Sequence, residues 1–470
     1  MILVTAALDL SAPRRVHVVG VGGSGMSGIA LLLVGLGHDV SGSDAVDSPV
    51  LDRLRSAGVR VAVGHDPDLL VALDVLTAST AVPAEDPDVA AARATGVPVL
   101  RRAEALGALC ATRRTLAVGG THGKTTTTAM LALILREAGL DPSFLVGSHV
   151  PALGGGAAVG HPDGWFVVEA DESDGTFVAL GADAVLLTSV EPDHLDHWGS
   201  SEALEAAFAR FLAAAPGPRV VCADDPGAMA AQAAAGLPVV TYGTSEDADE
   251  RIVDPRSGRA GVAFTLVGET HAPVRIEVPL PGLHNARNAA GAATAALALG
   301  APSATLAPAL ARVAVARRWE PRGEAGGVTF VDDYAHLPGE VAPALEAARA
   351  GGWDRVVCAF QPHRSSRTRA LVDEFAAAFC GIGTATADVL AVTDIYLPAG
   401  TEALPGVGGK LVVDAVLDTC PALAVAWVPR RRDLVTFLVR ELRPGDLCLT
   451  LGAGDLTTVP DEVRAALAAT

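Results

Sequence analysis

The 470-residue chain has little lysine, few aromatic residues and no long apolar run. Lys124 and Lys410 are its two lysines, so every other cationic side chain is Arg. Aromatic residues make up 4%, too few for a platform that stacks the bases of single-stranded nucleic acid. Against 54 Asp+Glu there are 35 Lys+Arg, a formal net charge of -19 that repels phosphate backbones. No nucleic-acid partner is expected, and any anionic ligand must be held by a local site. No stretch approaches the ~20 continuous apolar residues of a membrane span, so no membrane partner is expected. The N-terminus, with Asp9 and Arg14 around a short apolar stretch, lacks the basic start of a cleavable leader. Six cysteines (110, 222, 358, 380, 420 and 448) are scattered without a CxxC pair. They read as buried reduced thiols in a cytoplasmic protein.

What is present is alternation. At ~150 residues per domain the length predicts about three domains, and 50% hydrophobic residues can fill their cores. Residues 16–19 read as a strand, 27–36 as a helix and 39–43 as a second strand, a βαβ unit. Further strands are expected at 59–63, 75–78 and 97–100, then a connecting helix over 101–111. A second block opens with strand 115–118 and continues with strands at 165–168, 184–187, 220–222 and 239–242. Antiparallel hairpins are expected between 251 and 278, followed by a Gly/Ala-rich helix from about 286. The third block alternates strands at 328–331, 356–360, 389–393, 425–428 and 447–450 with helical stretches, as in a doubly wound parallel sheet. The fold class is therefore α/β with three domains. Residues 1–111 form a Rossmann-like domain, 112–316 a central P-loop-type ATPase domain with a parallel sheet plus antiparallel strands, and 317–470 a second Rossmann-like domain.

The chemistry concentrates in the turns. Lys124 ends the run Gly119-Gly120-Thr121-His122-Gly123-Lys124-Thr125 between a strand and a helix. Such a turn brings backbone N–H groups and a helix N-terminus to a triphosphate, with Lys124 reaching the β/γ phosphates and the Thr125 hydroxyl ligating Mg²⁺. The usual pattern needs Gly where Val118 stands, so the loop is a shortened one. Gly20-Val21-Gly22-Gly23-Ser24-Gly25 is a G-x-G-x-x-G turn with Asp44 near the end of the next strand. It selects a diphosphate on a helix N-terminus (NAD, FAD or another pyrophosphate), or it merely makes a tight strand–helix turn. Two acidic clusters follow central strands, Glu169 to Asp174 and Glu191 to His197. Around triphosphate oxygens they suit Mg²⁺; zinc is the rival for His194 and His197 but lacks a third ligand at suitable spacing. Asp174 and Asp196 read more readily as solvated than Glu172 and His194. Arg317-Arg318 at the second boundary offers a guanidinium for a γ-phosphate, with a surface ion pair as the alternative for Arg317. Arg364 and Arg367 can fork onto a carboxylate or phosphate.

These segments, with His284-Asn285-Ala286-Arg287-Asn288, Asp332-Asp333-Tyr334-Ala335-His336 and Gln361-Pro362-His363-Arg364, resemble the Mur ligase family over essentially the whole chain. The likeness is greatest to members that join L-alanine to UDP-N-acetylmuramate. The shortened P-loop is itself a trait of that family. The resemblance implies an ATP- and Mg²⁺-dependent ligase of peptidoglycan precursor synthesis, working through an acyl phosphate and releasing ADP and phosphate. It implies that Gly22, Gly23, Ser24, Gly25 and Asp44 hold the UDP moiety, with His363 and Arg364 also on that substrate. Gly120, Thr121, His122, Gly123, Lys124, Thr125, Thr126, Asn285, Asn288, Arg318 and Asp333 would hold ATP. Thr125, Glu172 and His194 would hold the metal, and Lys124, Glu172, His194 and Arg318 would be catalytic. Tyr334, His336, Arg364 and Arg367 would border the amino acid.

Two departures stand out. Leu337 replaces a second His common in the family. No lysine lies between His194 and Lys410, which excludes there the carbamoylated lysine of some relatives. A sister ligase adding a tripeptide or another amino acid is the near alternative. An NAD-sensing regulatory ATPase and a non-catalytic nucleotide-binding scaffold are the distant ones. A monomer or weak homodimer is expected.

Overall fold

The computed structural model describes residues 8–173, 175–381, 386–398 and 401–469; Asp174 and the side chains of Ser24, Thr176 and Asp196 lie outside the described residues. Among the described residues the chain forms three sheets. The first contains β1 (Arg15–Val19), β2 (Asp39–Asp44), β3 (Arg60–Val63), β4 (Val75–Ala78) and β5 (Val99–Arg101), all parallel in the order β3-β2-β1-β4-β5. The second contains β6 (Thr115–Gly119), β7 (Ser143–Val150), β8 (Gly155–Ala158), β9 (Phe166–Glu169) and β10 (Ala184–Leu187). It continues with β11 (Arg219–Cys222), β12 (Val240–Gly243), β13 (Glu250–Gly258), β14 (Gly261–Val267) and β15 (Val274–Val278). Its order is β15-β14-β13-β12-β11-β10-β6-β9-β7-β8. The third contains β16 (Glu320–Ala325), β17 (Val328–Asp333), β18 (Arg355–Phe360), β19 (Val389–Val392), β20 (Ala424–Trp427) and β21 (Asp446–Leu451), in the order β16-β17-β21-β18-β19-β20. The α/β, three-domain reading holds.

By contacts the chain divides into two compact units. One is 1–253 with 265–274 and 287–310; the other is 254–264, 275–286 and 311–470. In the first, a continuous core runs from Val16, Val18 and Ile29 through Ala117 and Val168 to Phe208 and Val221. In the second, Phe330, Val357, Ala391, Leu434 and Val463 pack together. β6 and β21 are buried at every position, which is why they read as largely apolar runs rather than alternating ones.

Three strands escaped the sequence pattern. β7 and β8 contain or adjoin Gly147, Gly154, Gly155 and Gly156, residues that weaken any strand signature. β16 (EPRGEA) is polar, carries Pro and Gly, and lies at the sheet edge antiparallel to β17 with a register shift between Pro321 and Gly323. The third sheet is thus mixed, not wholly parallel. The helix expected over 27–36 runs Ser24–Gly35, because the end of the glycine loop supplies its first turn.

The cysteine expectation needs correction. Cys380 and Cys420 form a disulfide, while Cys110, Cys222, Cys358 and Cys448 are buried and free. The ends of helices Val372–Cys380 and Lys410–Thr419 bring Cα atoms 40 residues apart in sequence to 5.8 Å, a proximity no short spacing announces. Among the described residues no helix is long and apolar enough to cross a membrane.

Candidate active site

In the first unit, β6 is buried throughout and delivers the Gly120–Lys124 turn at its carboxyl end. Gly123 has φ +80° and caps helix Lys124–Glu137; a Cβ there would collide with Asn288 Oδ1. Gly120 has φ +134° and faces Thr188 and Ser189 just as closely. Both positions therefore require glycine. The turn is held against the segment after β10: Thr121 N donates to Ser189 O (2.9 Å), His122 N to Ser189 Oγ (3.0 Å) and Thr188 Oγ1 to the His122 carbonyl (2.6 Å). Asn288 comes to the turn from helix Leu283–Ala298.

Lys124 Nζ donates to Gly120 O (2.6 Å), Thr121 O (3.2 Å) and both oxygens of Glu172 (3.0 and 2.8 Å). Burial opposes the ammonium, but Glu172, Asp171 and Glu169 outweigh it and raise the Lys124 pKa. Glu172 is 2% exposed; burial pushes its carboxyl up, and Lys124 pulls against that. Thr125 Oγ1 donates to Glu169 Oε1, and Glu169 also accepts from Gly147 N. So the two acidic residues divide: Glu169 holds Thr125, and Glu172 holds Lys124.

Ligand atoms of Glu172, Asp193 and His194 lie within 4.8 Å of one another. His194 sits at φ +52°, its N–H on Asp193 Oδ1 (2.8 Å) and its Nε2 3.4 Å from Asp193 Oδ2. A non-glycine residue in the left-handed region marks a position held by its surroundings. Two carboxylates and one imidazole converging this way fit a divalent cation. Asp193 went unassigned from sequence, although its place beside His194 was the available signal. Thr125 is bonded to Glu169 rather than joined to this trio.

The first glycine loop follows β1. Gly20 N and Val21 N donate to Ser43 O (2.8 and 3.1 Å), and Gly22 N donates to Asp44 Oδ2 (2.8 Å). A Cβ on Gly22 would stand 2.9 Å from that same oxygen, so Asp44 and the loop are mutually fitted. Arg102 also lies here, unassigned from sequence: its Nη1 is 3.2 Å from where a Gly25 Cβ would sit, and its Nη2 donates to Asp171 Oδ2 (3.0 Å). A guanidinium beside a glycine loop suits a diphosphate. Gly23 caps the helix that begins at Ser24.

The second unit gathers the remaining residues. Asp333 ends β17 and accepts from Trp319 N (2.6 Å) and Ala335 N (2.8 Å); burial, opposed by Arg318, raises its pKa to about 6. Arg317 and Arg318 both lie 5.0 Å from the Tyr334 ring and differ in their other partners. Arg317 donates to Asp332 (3.3 Å) and to the Gly452 and Ala453 carbonyls, a structural tie. Arg318 lies 5.0 Å from the Tyr334 ring and 3.8 Å from Glu340. Tyr334, His336, His363 and Tyr396 form a row of rings, with centroids 5.2, 5.3 and 5.9 Å apart. Arg367 Nη1 is 3.3 Å from His363 Nδ1. Arg364, at φ +66°, has a buried Nε with no hydrogen-bond partner among the described residues. A buried donor of that kind awaits an acceptor. Asn285 donates to Pro281 O (2.7 Å) and meets His284 Nε2 (3.0 Å). Leu337 is buried at the start of helix Pro338–Ala350.

Similarity to known proteins follows the same geography. Residues 15–114 match the Mur ligase family, catalytic domain; 118–296 match the Mur ligase middle domain; 317–454 match the Mur ligase, glutamate ligase domain. The chain is 50% identical over 476 residues to the UDP-N-acetylmuramate--L-alanine ligase of Kineococcus radiotolerans, covering 98% of both chains. The chain belongs to the Mur ligase family. It is 45% identical over 463 residues to the ligase of the same name from Paenarthrobacter aurescens, covering 97% of each. The solved UDP-N-acetylmuramate-alanine ligase of Thermotoga maritima superposes with a TM-score of 0.80 at 26% identity, covering 96% of this chain and 99% of that one. A murein peptide ligase from Psychrobacter arcticus shares the fold, with a TM-score of 0.69 at 24% identity.

For a Mur ligase, the expected residues other than Asn285 fall into three groups. Gly120 to Thr126, Glu172, His194 and Asn288 surround one turn of the first unit. Gly22, Gly23, Gly25 and Asp44 form the glycine loop, with the Ser24 side chain outside the described residues. Asp333, Tyr334, His336, His363, Arg364 and Arg367 cluster in the second unit with Arg318. Tyr396 and Glu340 join that cluster without having been expected. Their signals were faint: an isolated Tyr after a strand, and a Glu in a helix's first turn.

Proposed function

We propose that this Mur ligase joins L-alanine to UDP-N-acetylmuramate, converting ATP to ADP and phosphate, in peptidoglycan precursor synthesis in the cytoplasm. Near-full-length identity of 50% and 45% to two ligases of that name carries the reading. A carboxylate does not condense with an amine in water, because hydroxide is a poor leaving group. Transfer of the γ-phosphoryl group to the muramoyl carboxylate gives an acyl phosphate and ADP. The amine of L-alanine attacks the acyl carbon, and phosphate leaves as the amide forms.

Residues 112–316 take ATP. The Gly120–Thr126 backbone cradles its phosphates, and Lys124 exchanges Glu172 for phosphate oxygens. Glu172, Asp193 and His194 would hold Mg²⁺, which would screen charge on the transferring group. Residues 1–111 take the UDP moiety on the Gly22–Gly25 loop with Asp44. Residues 317–470 take L-alanine: Arg364 and Arg367 supply cations for its carboxylate, and Tyr334 and His336 wall a small pocket.

Phosphate release measured with ATP and Mg²⁺, omitting UDP-N-acetylmuramate or L-alanine in turn, tests this. Turnover should need both substrates. ATP hydrolysis indifferent to both would refute the ligase reading. A tripeptide outperforming L-alanine would favour the sister activity.

A further inference from the structure

Beneath the first glycine loop lies a polar network with no place in the chemistry above. His17 on β1 is 1% exposed; its Nδ1 meets Ser41 Oγ (2.8 Å) and its Nε2 meets Ser43 Oγ (3.2 Å), both on β2. Ser43 Oγ donates to Asp88 Oδ2 (2.5 Å), and His17 Nε2 lies 3.4 Å from the same oxygen. The other Asp88 oxygen meets His65 Nδ1. Asp88 is 3% exposed and stands in the first turn of helix Pro87–Ala94. Burial works against its charge, yet the bonds from His17, Ser43 and His65 prevail and lower its pKa to about 2. Burying a carboxylate is costly without such partners.

The position of this network is informative. Ser43 gives its side chain to Asp88 and its carbonyl to Gly20 N and Val21 N. The next residue, Asp44, accepts Gly22 N on its carboxylate and Gly64 N on its carbonyl (2.7 Å), and Gly64 precedes His65. Asp88 therefore grips the chain on both sides of Asp44. The glycines at 22 and 23 have no side chains with which to anchor themselves. A loop that must present N–H groups to a diphosphate loses affinity when its supporting shell is loose.

We infer that Asp88, acting through Ser43 and His65, is a positioning residue that holds the glycine loop and Asp44 in register for the UDP-linked substrate. The inference rests on the reading of that loop as the UDP site. Asp88→Asn preserves shape while removing the charge that orders Ser43 and His65. It should raise the KM and Kd for UDP-N-acetylmuramate about tenfold, equivalent to about 1.4 kcal/mol. The kcat and the KM values for ATP and L-alanine should stay within about twofold of the parent. Ser43→Ala, a smaller change that leaves Asp88 paired with both histidines, should act in the same direction. The double variant should be less than additive, because both changes break one link.

Calorimetric binding of UDP-N-acetylmuramate and steady-state phosphate release measure these effects, with Asp44→Ala as the reference. If Asp44→Ala weakens binding while Asp88→Asn and Ser43→Ala bind as the parent does, positioning is refuted and the UDP site stands. If kcat and all three KM values move together, or the double variant is fully additive, positioning is likewise refuted. If Asp44→Ala binds as tightly as the parent, the loop is not the UDP site and the inference falls with it. Should Asp88→Asn fail to fold, Ser43→Ala alone decides.

Discussion

Lys124→Met separates the two demands on the lysine. In the described structure the ammonium stands 2.8 Å from Glu172 Oε2, with Glu172 2% exposed. Unit charges at that distance attract by roughly 6 kcal/mol at an effective dielectric constant of about 20. Taking both groups out of water offsets much of that gain. Removing one partner is the expensive change, about 3–5 kcal/mol, because it leaves Glu172 buried beside Asp171 without compensation. Lys124→Met alone should therefore abolish turnover and lower the melting temperature by roughly 5–8 °C. Adding Glu172→Gln removes the stranded charge. The double variant should melt near the parent, within about 1 kcal/mol, and remain inactive. Scanning calorimetry beside phosphate release reads both quantities. A Lys124→Met protein as stable as the parent would show that the pair holds no net energy. Activity recovered in the double variant would sink the phosphate-binding role.

Gly123→Ala forces a Cβ onto Asn288 at a left-handed position, a strain of about 1–2 kcal/mol before the collision is counted; ATP-dependent turnover should fall at least tenfold, and normal turnover would contradict the assigned turn. His271 meets Glu250 Oε2 at 2.9 Å and, despite opposing burial, has a raised pKa from the Ala272 carbonyl and Glu250. Its contribution is fully present below pH about 6.5 and is lost as pH rises through the higher folded value. Unfolding midpoints compared across that window should fall in the parent and flatten in His271→Gln; equal slopes would refute the coupling. Arg364→Lys keeps charge but not the fork, so the KM for L-alanine should rise about tenfold in initial-rate assays. An unchanged KM would place the carboxylate elsewhere.

Much of this was legible from local chemistry. Lys124 follows a strand and Gly-rich turn, and Asp333 and Arg364 lie just past apolar strands, so strand ends located them. Pairings between distant segments were not legible. Glu169 and Glu172 are three residues apart and equivalent by composition, yet one holds Thr125 and the other Lys124. Arg317 and Arg318 are neighbours and both lie 5.0 Å from the Tyr334 ring, yet the first also ties down Gly452 and Ala453 while the second approaches Glu340.

The sequence by itself determined the element alternation, the two glycine loops and the scarcity of lysine that singled out Lys124. These depend on period, turn residues and composition, which are local or global counts. Tertiary structure decided that Asp193 joins Glu172 and His194, that Tyr396 stacks on His363, and that Cys380 reaches Cys420. It also decided that Asp88 supports a loop more than 60 residues before it. Each of these depends on which element lies beside which, an order set by packing and invisible to spacing along the chain.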